Sequence, residues 1–264
     1  MSFFSANGLC AGYEKGYVIE DVSFTLSSGT LMGILGANGS GKTTLLKAIC
    51  GILPHKGTCA LDEMVLEGLS SRKIAKFCSY IPQRSGITID ISVLDVVLMG
   101  FNPQLGLLER PNALMHEAAV RALAQVGLAG REEENYLHLS EGQKQLCILA
   151  RTLVAQSKLL LLDEPESALD FHHRYRMLEI IRSWVSEKEI GAIATLHDPG
   201  LALNYCDRIL LLHEGTLLGC ISPMEDDLDS MEAMLSRVYG PVSLQRILTR
   251  SGRSQLVMLK EEDL

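Results

Sequence analysis

Apolar residues along the chain fall into short continuous runs punctuated by turn residues, and the runs change character in the middle. YVIEDVSFTL (17–26) and TLMGIL (30–35) read as strands joined by a turn at Ser27-Ser28-Gly29. KFCSYIP (76–82), LLLLDEP (159–165), GAIATLH (191–197) and RILLLHEG (208–215) are further strand-like runs. Their unbroken apolar stretches suit strands covered on both faces. LLKAIC, just after the glycine-rich stretch 36–44, reads as a helix, and another is expected near 172–186. From about Val93 to Ala155 strand signals give way to helical ones. There Leu114, Ala118, Ala122 and Val126 recur every fourth residue, which predicts one buried helix face. VSLQRILTRSGRSQLVML (242–259) reads as a hairpin turning at Ser251-Gly252. Strands alternating with helices around a helical insert predict an α/β fold with a mostly parallel sheet.

Composition narrows what such a fold can do. The chain has 264 residues, 47% of them hydrophobic, with a formal net charge of −8. That suffices for a well-packed core and argues against a surface built to grip nucleic acid. The seven cysteines (Cys10, Cys50, Cys59, Cys78, Cys147, Cys206 and Cys220) are scattered and never form a Cys-x-x-Cys pair. They are expected to be reduced, mostly buried small apolar residues, with neither a disulfide framework nor a zinc site. No apolar run approaches the roughly 20 residues that span a bilayer, and the first residues lack the pattern of a signal peptide.

Chemistry concentrates at two strand ends. Gly36-Ala37-Asn38-Gly39-Ser40-Gly41-Lys42-Thr43 fits G-x-x-x-x-G-K-[ST] between a predicted strand and a predicted helix. Glycines let backbone N–H groups turn inward onto phosphate oxygens, and the helix N-terminus adds positive potential. Lys42 can then reach β- and γ-phosphates, while the Thr43 hydroxyl can ligate Mg²⁺. Four leucines deliver Asp163 and Glu164 at the end of another strand, placing Asp163 on the metal and Glu164 where it can polarise an attacking water.

With these residues in place the chain resembles the ATP-binding-cassette (ABC) family. LSEGQ (139–143) is similar to the family's LSGGQ signature, with Glu141 in place of the usual glycine. SALD (167–170) resembles the D-loop, His197 the switch histidine, Gln83 the Q-loop residue and Tyr13 the aromatic that stacks on adenine. The resemblance implies a P-loop NTPase (RecA-like) core with an N-terminal antiparallel β subdomain and an inserted α-helical subdomain. Its boundaries would be a core of 1–87 and 157–240, an insert of 88–156 and a hairpin extension of 241–264. It implies ATP and Mg²⁺ as cofactors, with Tyr13, the loop through Thr44, Gln83, Ser140, Gly142, Gln143, Asp163 and Asp170 as contacts. Thr43, Gln83 and Asp163 would hold the metal, and Glu164 and His197 would be catalytic. Ser140 and Gly142 would face nucleotide held by a second copy, although Ser-x-x-Gln is also an ordinary helix capping box. His172-His173 lack an evident third ligand and fit a solvated helix start.

VLDVVLMGFNPQLGLLERPN (93–112) and VYGP (238–241) resemble the subunits that serve importers of iron–siderophore, haem and cobalamin. This implies a homodimer at the cytoplasmic face of the membrane, beneath two permease subunits and supplied by an extracytoplasmic binding protein. Residues 84–108, with Ile87, Ile89, Leu105, Leu107 and Leu108 exposed, would form much of the permease contact. The competing expectations are an ABC ATPase for another cargo, a soluble ABC ATPase acting on DNA or ribosomes, and an unrelated P-loop kinase. The acidic composition disfavours the nucleic-acid role, and the order of the motifs disfavours the kinase.

Overall fold

A computed structural model describes residues 3–14, 16–106, 108–167 and 169–261. Among the sequence expectations, Leu107 and Ala168 of the SALD stretch lie outside the described residues.

Two strands, β1 (Phe4–Tyr13) and β2 (Gly16–Leu26), lead into β3 (Leu31–Leu35), the phosphate-loop stretch and α1 (Lys42–Ile49). Next come β4 (His55–Leu61), β5 (Met64–Val65), α2 (Ser71–Ile74) and β6 (Cys78–Ile81). The middle is helical: α3 (Val93–Leu98), α4 (Ala113–Gln125) and α5 (Glu141–Ala155). β7 (Leu159–Asp163), α6 (Phe171–Lys188), β8 (Gly191–Thr195), α7 (Pro199–Tyr205) and β9 (Arg208–His213) return to strand–helix alternation. β10 (Thr216–Ile221), α8 (Leu228–Tyr239) and the paired strands β11 (Val242–Leu248) and β12 (Ser254–Lys260) complete the chain.

Strands β10-β9-β3-β8-β7-β6 form the central sheet, parallel except for the β9–β10 hairpin. Every residue of β3, β7 and β8 is buried. Each fully buried Leu or Ile there contributes about 1.5–3 kcal/mol of transfer free energy. A second, antiparallel sheet, β2-β1-β4-β5, packs through Phe4, Leu9 and Ile19 in one cluster with Leu46 of α1 and with Ile34, Leu161 and Ile193 of the central sheet. β1, β4 and β5 leave no clean alternation in the sequence because register shifts interrupt the ladders on both sides of β1. Tyr13 therefore ends a strand rather than preceding the first one.

The face expected of α4 is half right. Ala122 and Val126 are buried, but Leu114 is 72% exposed, and Ala119 and Leu123 complete the true buried stripe. Strict four-residue spacing drifts by about 40° at each step on a helix of 3.6 residues per turn, so the first member had rotated to solvent. Burial also shapes the cysteines. It pushes the Cys50 thiol up to about 11 and those of Cys59, Cys78 and Cys147 up to about 12, and all seven are free.

Candidate active site

The parallel strands present their carboxyl ends to one edge, where ligands of open α/β sheets gather. β8 lies between β3, which carries the glycine loop, and β7, which carries the two acids. The loop turns through left-handed glycines, with Gly39 at φ 82° and Gly41 at φ 100°. A side chain on Gly36 would strike the Leu212 carbonyl and Ser40 Oγ. Lys42 starts α1 but is buried, and its ammonium donates to the carbonyls of Gly36 at 2.8 Å and Ala37 at 3.1 Å. Burial lowers its pKa, while Glu164 and Asp163 oppose that shift. Gly39, Gly41, Lys42, Thr43, Thr44 and Glu164 line a cleft of about 160 Å³, joined by Asn38 and Val18.

Asp163 is nearly enclosed and fully engaged. Its Oδ1 accepts from Thr43 Oγ1 at 2.9 Å and from Thr195 Oγ1 at 3.0 Å, and its Oδ2 accepts from the Tyr80 hydroxyl at 3.0 Å. Burial, and then Asp163 itself, raise the Tyr80 pKa, so the phenol stays a donor. Glu164 follows in left-handed backbone at φ 50°, a strained conformation for a glutamate, with its N–H held by Thr195 Oγ1 at 2.8 Å. His197 Nε2 sits 2.7 Å from Glu164 Oε1, and the Gln83 amide donates to Glu164 Oε2. Five of the expected positions (Thr43, Gln83, Asp163, Glu164 and His197) thus meet around two carboxylates.

Sequence reading overlooked three members of this cluster. Thr195 holds both acids, Tyr80 holds Asp163, and Glu166 accepts the His197 backbone N–H at 2.9 Å. Register carries the first signal: Thr195 pairs with Asp163 and with Ile34, so a hydroxyl closing an apolar strand points to the site. Glu166 is 4% exposed, and its Oε2 has no partner. Burial raises its pKa, with Glu164 adding to the shift and the amide and charge of His197 opposing it. A folded state that holds the proton more tightly than the unfolded chain loses stability as pH rises from the unfolded value through the raised one. Glu166→Gln keeps an acceptor for the His197 amide and removes the charge. It should melt above the parent at pH 8, with a smaller advantage at pH 5. An equal difference in Tm at both pH values would contradict the assignment.

The remaining expected residues lie elsewhere. Tyr13 is 54% exposed at the end of β1 and is not among the cleft-lining residues. Ser140 caps α5 in a full capping box with Gln143, the two bonds measuring 3.3 and 3.0 Å, and Glu141 pairs with Lys144. Ser140, Gly142, Gln143 and Asp170 border a second hollow of about 300 Å³, separate from the cleft at the glycine loop. Asp170 caps α6 and contacts His173 Nδ1 at 2.8 Å, occupying that imidazole with a helix-start contact. On the stretch 84–108, Ile89 and Leu108 are exposed, but Ile87 and Leu105 are half-buried against the helical core, which corrects their expected exposure.

A lysine-bearing loop, a strand-end carboxylate pair and a separate serine-capped helix tip define a nucleotide-binding ATPase. The chain belongs to the ABC transporter family, whose model matches residues 19–167, and is an ATP-binding, ATP-hydrolysing subunit of that family. It is 36% identical to the hemin import ATP-binding protein HmuV of Bordetella bronchiseptica over 84% of this chain and 86% of the relative. It is 32% identical to HmuV of Vibrio cholerae over 82% and 84%. An inward-facing ABC transporter assigned to the metal-chelate type superposes with a TM-score of 0.83 at 24% identity, covering 99% of both chains. The dimeric bacterial cassette MJ0796 superposes with a TM-score of 0.75 at 21% identity, over 83% of this chain and 98% of that one.

Proposed function

We propose that this chain energises uptake of a metal chelate, haem before iron–siderophore or cobalamin, through a membrane permease. The observation that carries the cargo is the match to hemin import subunits over more than four-fifths of both chains. No described helix is long and apolar enough to cross a membrane, so attachment would come through two permease subunits. Exposed Ile89 and Leu108 would then meet that permease at the cytoplasmic face, with a binding protein on the far side.

The donors at the cleft fit Mg²⁺: a threonine hydroxyl 2.9 Å from a buried carboxylate, with the Gln83 amide bound to the adjacent Glu164, is a hard-oxygen set. Thr43, Asp163 and Gln83 would hold it, and when bound it neutralises charge on the β- and γ-phosphates. Gln83 would leave Glu164 to do so, freeing one carboxylate oxygen to accept a proton from water. His197 steadies the other oxygen, while Thr195 and Glu166 fix the two backbones. The cleft falls below the roughly 300–1,000 Å³ of sites that enclose a small molecule. A second copy would therefore close it, bringing Ser140, Gly142 and Gln143 of its α5 tip to the γ-phosphate and Asp170 to the seam. Tyr13 would stack on adenine at the open end.

Gly142→Asp adds a carboxylate to that helix tip. It should lower turnover more than tenfold while nucleotide affinity at monomer concentrations stays within twofold; parental hydrolysis would remove the in-trans role. Deleting the gene in its host should abolish growth on haem as the iron source, with the parent but not Glu164→Gln restoring it. Undiminished growth on haem would refute haem as the cargo.

A further inference from the structure

The antiparallel sheet holds one cluster, outside the residues that line the nucleotide cleft, that the hydrolytic role does not use. Among the described residues, His55, Cys59 and Glu67 form the one group of three metal-capable side chains whose ligand atoms all lie within 4.8 Å of one another. Local backbone explains why they meet. His55 and Cys59 stand at opposite ends of a five-residue stretch of β4, too far apart on a straight strand. Gly57, between them, adopts φ 88°, and the β1–β4 register shifts beside it. A Cβ at Gly57 would fall 2.4 Å from the Gly8 carbonyl, so the bend admits only glycine. Glu67 arrives from beyond β5, anchored where Leu66 N–H donates to the Cys59 carbonyl at 2.9 Å.

The polar atoms are arranged for a cation. His55 Nδ1 lies 3.4 Å from the Leu53 carbonyl, which can take the ring proton and leave Nε2 free as a ligand. In that tautomer the Nε2 lone pair faces Glu67 Oε1 at 3.2 Å, and a bound cation would take the place of the proton that otherwise bridges the two atoms. Glu67 Oε1 also accepts the Cys59 N–H at 2.5 Å, while its Oε2 is buried with no partner at all. Cys59 is fully buried, whereas the His55 and Glu67 side chains are partly open to solvent.

We propose that His55 Nε2, Cys59 Sγ and a Glu67 carboxylate oxygen form a binding site for a borderline-soft divalent cation, Zn²⁺ in the first instance. Nitrogen, sulfur and oxygen donors with a fourth position left to water are a zinc set, and hard cations such as Mg²⁺ or Ca²⁺ gain nothing from a thiolate. Ligand atoms need to draw in to roughly 3.3–3.8 Å for metal–ligand bonds of about 2.0–2.3 Å, a shift within side-chain rotation. Binding releases the Cys59 proton, so affinity rises with pH. Because His55 pairs with Ala11, two residues before Tyr13, occupancy stiffens the β1–β4 ribbon at the end that leads to Tyr13.

The test uses the full chain, stripped with chelator and titrated with Zn²⁺ and, for its spectrum, with Co²⁺. One equivalent should bind, and Co²⁺ should show a thiolate-to-metal charge-transfer band that Zn²⁺ displaces. Cys59→Ser should lose that band, and His55→Gln and Glu67→Gln should each weaken Zn²⁺ binding at least tenfold. The last two keep hydrogen-bonding capacity, so they report on ligation should Cys59→Ser fold poorly. Absence of the band, or binding unchanged in His55→Gln and Glu67→Gln, would overturn the site. The nucleotide cleft offers oxygen donors and the His197 imidazole but no thiol among its described lining residues, so metal captured there gives no thiolate charge transfer.

Discussion

Glu164→Gln should cut steady ATP turnover on the order of 10²-fold or more, the usual worth of a positioned general base. The substitution is nearly isosteric, and the Thr195 bond to its backbone N–H is untouched. Nucleotide affinity should therefore stay within a few-fold of the parent. With binding intact and the proton acceptor gone, ATP should persist between two copies, so that size-exclusion chromatography with MgATP shows a stable dimer. Phosphate release above about a tenth of the parental rate would remove Glu164 as the base. His197→Ala supplies the comparison: it frees one carboxylate oxygen without removing the base, so it should impair turnover less than Glu164→Gln if positioning is its role.

The two acids were legible in the sequence because the physics that places them is local. A buried strand that ends in carboxylates must expose them at a sheet edge, and LLLLDE says so without any tertiary information. The glycine loop is equally self-declaring, since its left-handed turns leave little choice of residue. The supporting cast was not legible. Thr195, Tyr80 and Glu166 matter through parallel register and through a chain reversal after β7, and neither leaves a spacing pattern along the chain. The antiparallel sheet was hidden for a related reason: bulges at Ala6–Leu9 and Asn7–Cys10 break the two-residue period that pattern reading needs. The same irregularity brings His55 to Cys59, so scattered cysteines gave no forewarning of a cluster built by a glycine bend.

Across the site, polar groups are held in pairs that nucleotide would have to separate. Gln83 is bound to Glu164, Thr43 to Asp163 and Lys42 to its own loop carbonyls. The Thr43–Asp163 and Lys42 contacts satisfy buried or half-buried groups that would otherwise be orphaned at about 1–3 kcal/mol apiece, whereas the exposed Gln83 can turn to water. Each is also a donor that phosphate or cation can capture by offering a better-charged partner. The nucleotide thus exchanges existing bonds rather than filling bare positions, which keeps the loop ordered before binding.

Lys42→Ala should raise the Kd for MgATP by about ten- to a hundredfold, the equivalent of one charge-assisted hydrogen bond of roughly 1.5–3 kcal/mol. The backbone amides of the loop and the α1 N-terminus survive the substitution, so weak binding should persist. Lys42 also secures the Gly36 and Ala37 carbonyls, and losing those bonds could loosen the loop by itself. Lys42→Arg separates the two effects. It retains the charge and can still donate to the carbonyls, but its planar fork cannot enter the space of a compact ammonium. If phosphate contact is the role of Lys42, both variants should lose affinity in calorimetric titration, while only the alanine variant shows a lowered Tm without nucleotide. Parental affinity in Lys42→Ala would break the link between the glycine loop and the nucleotide, and with it the assignment of Thr43, Asp163 and Glu164 to the same site.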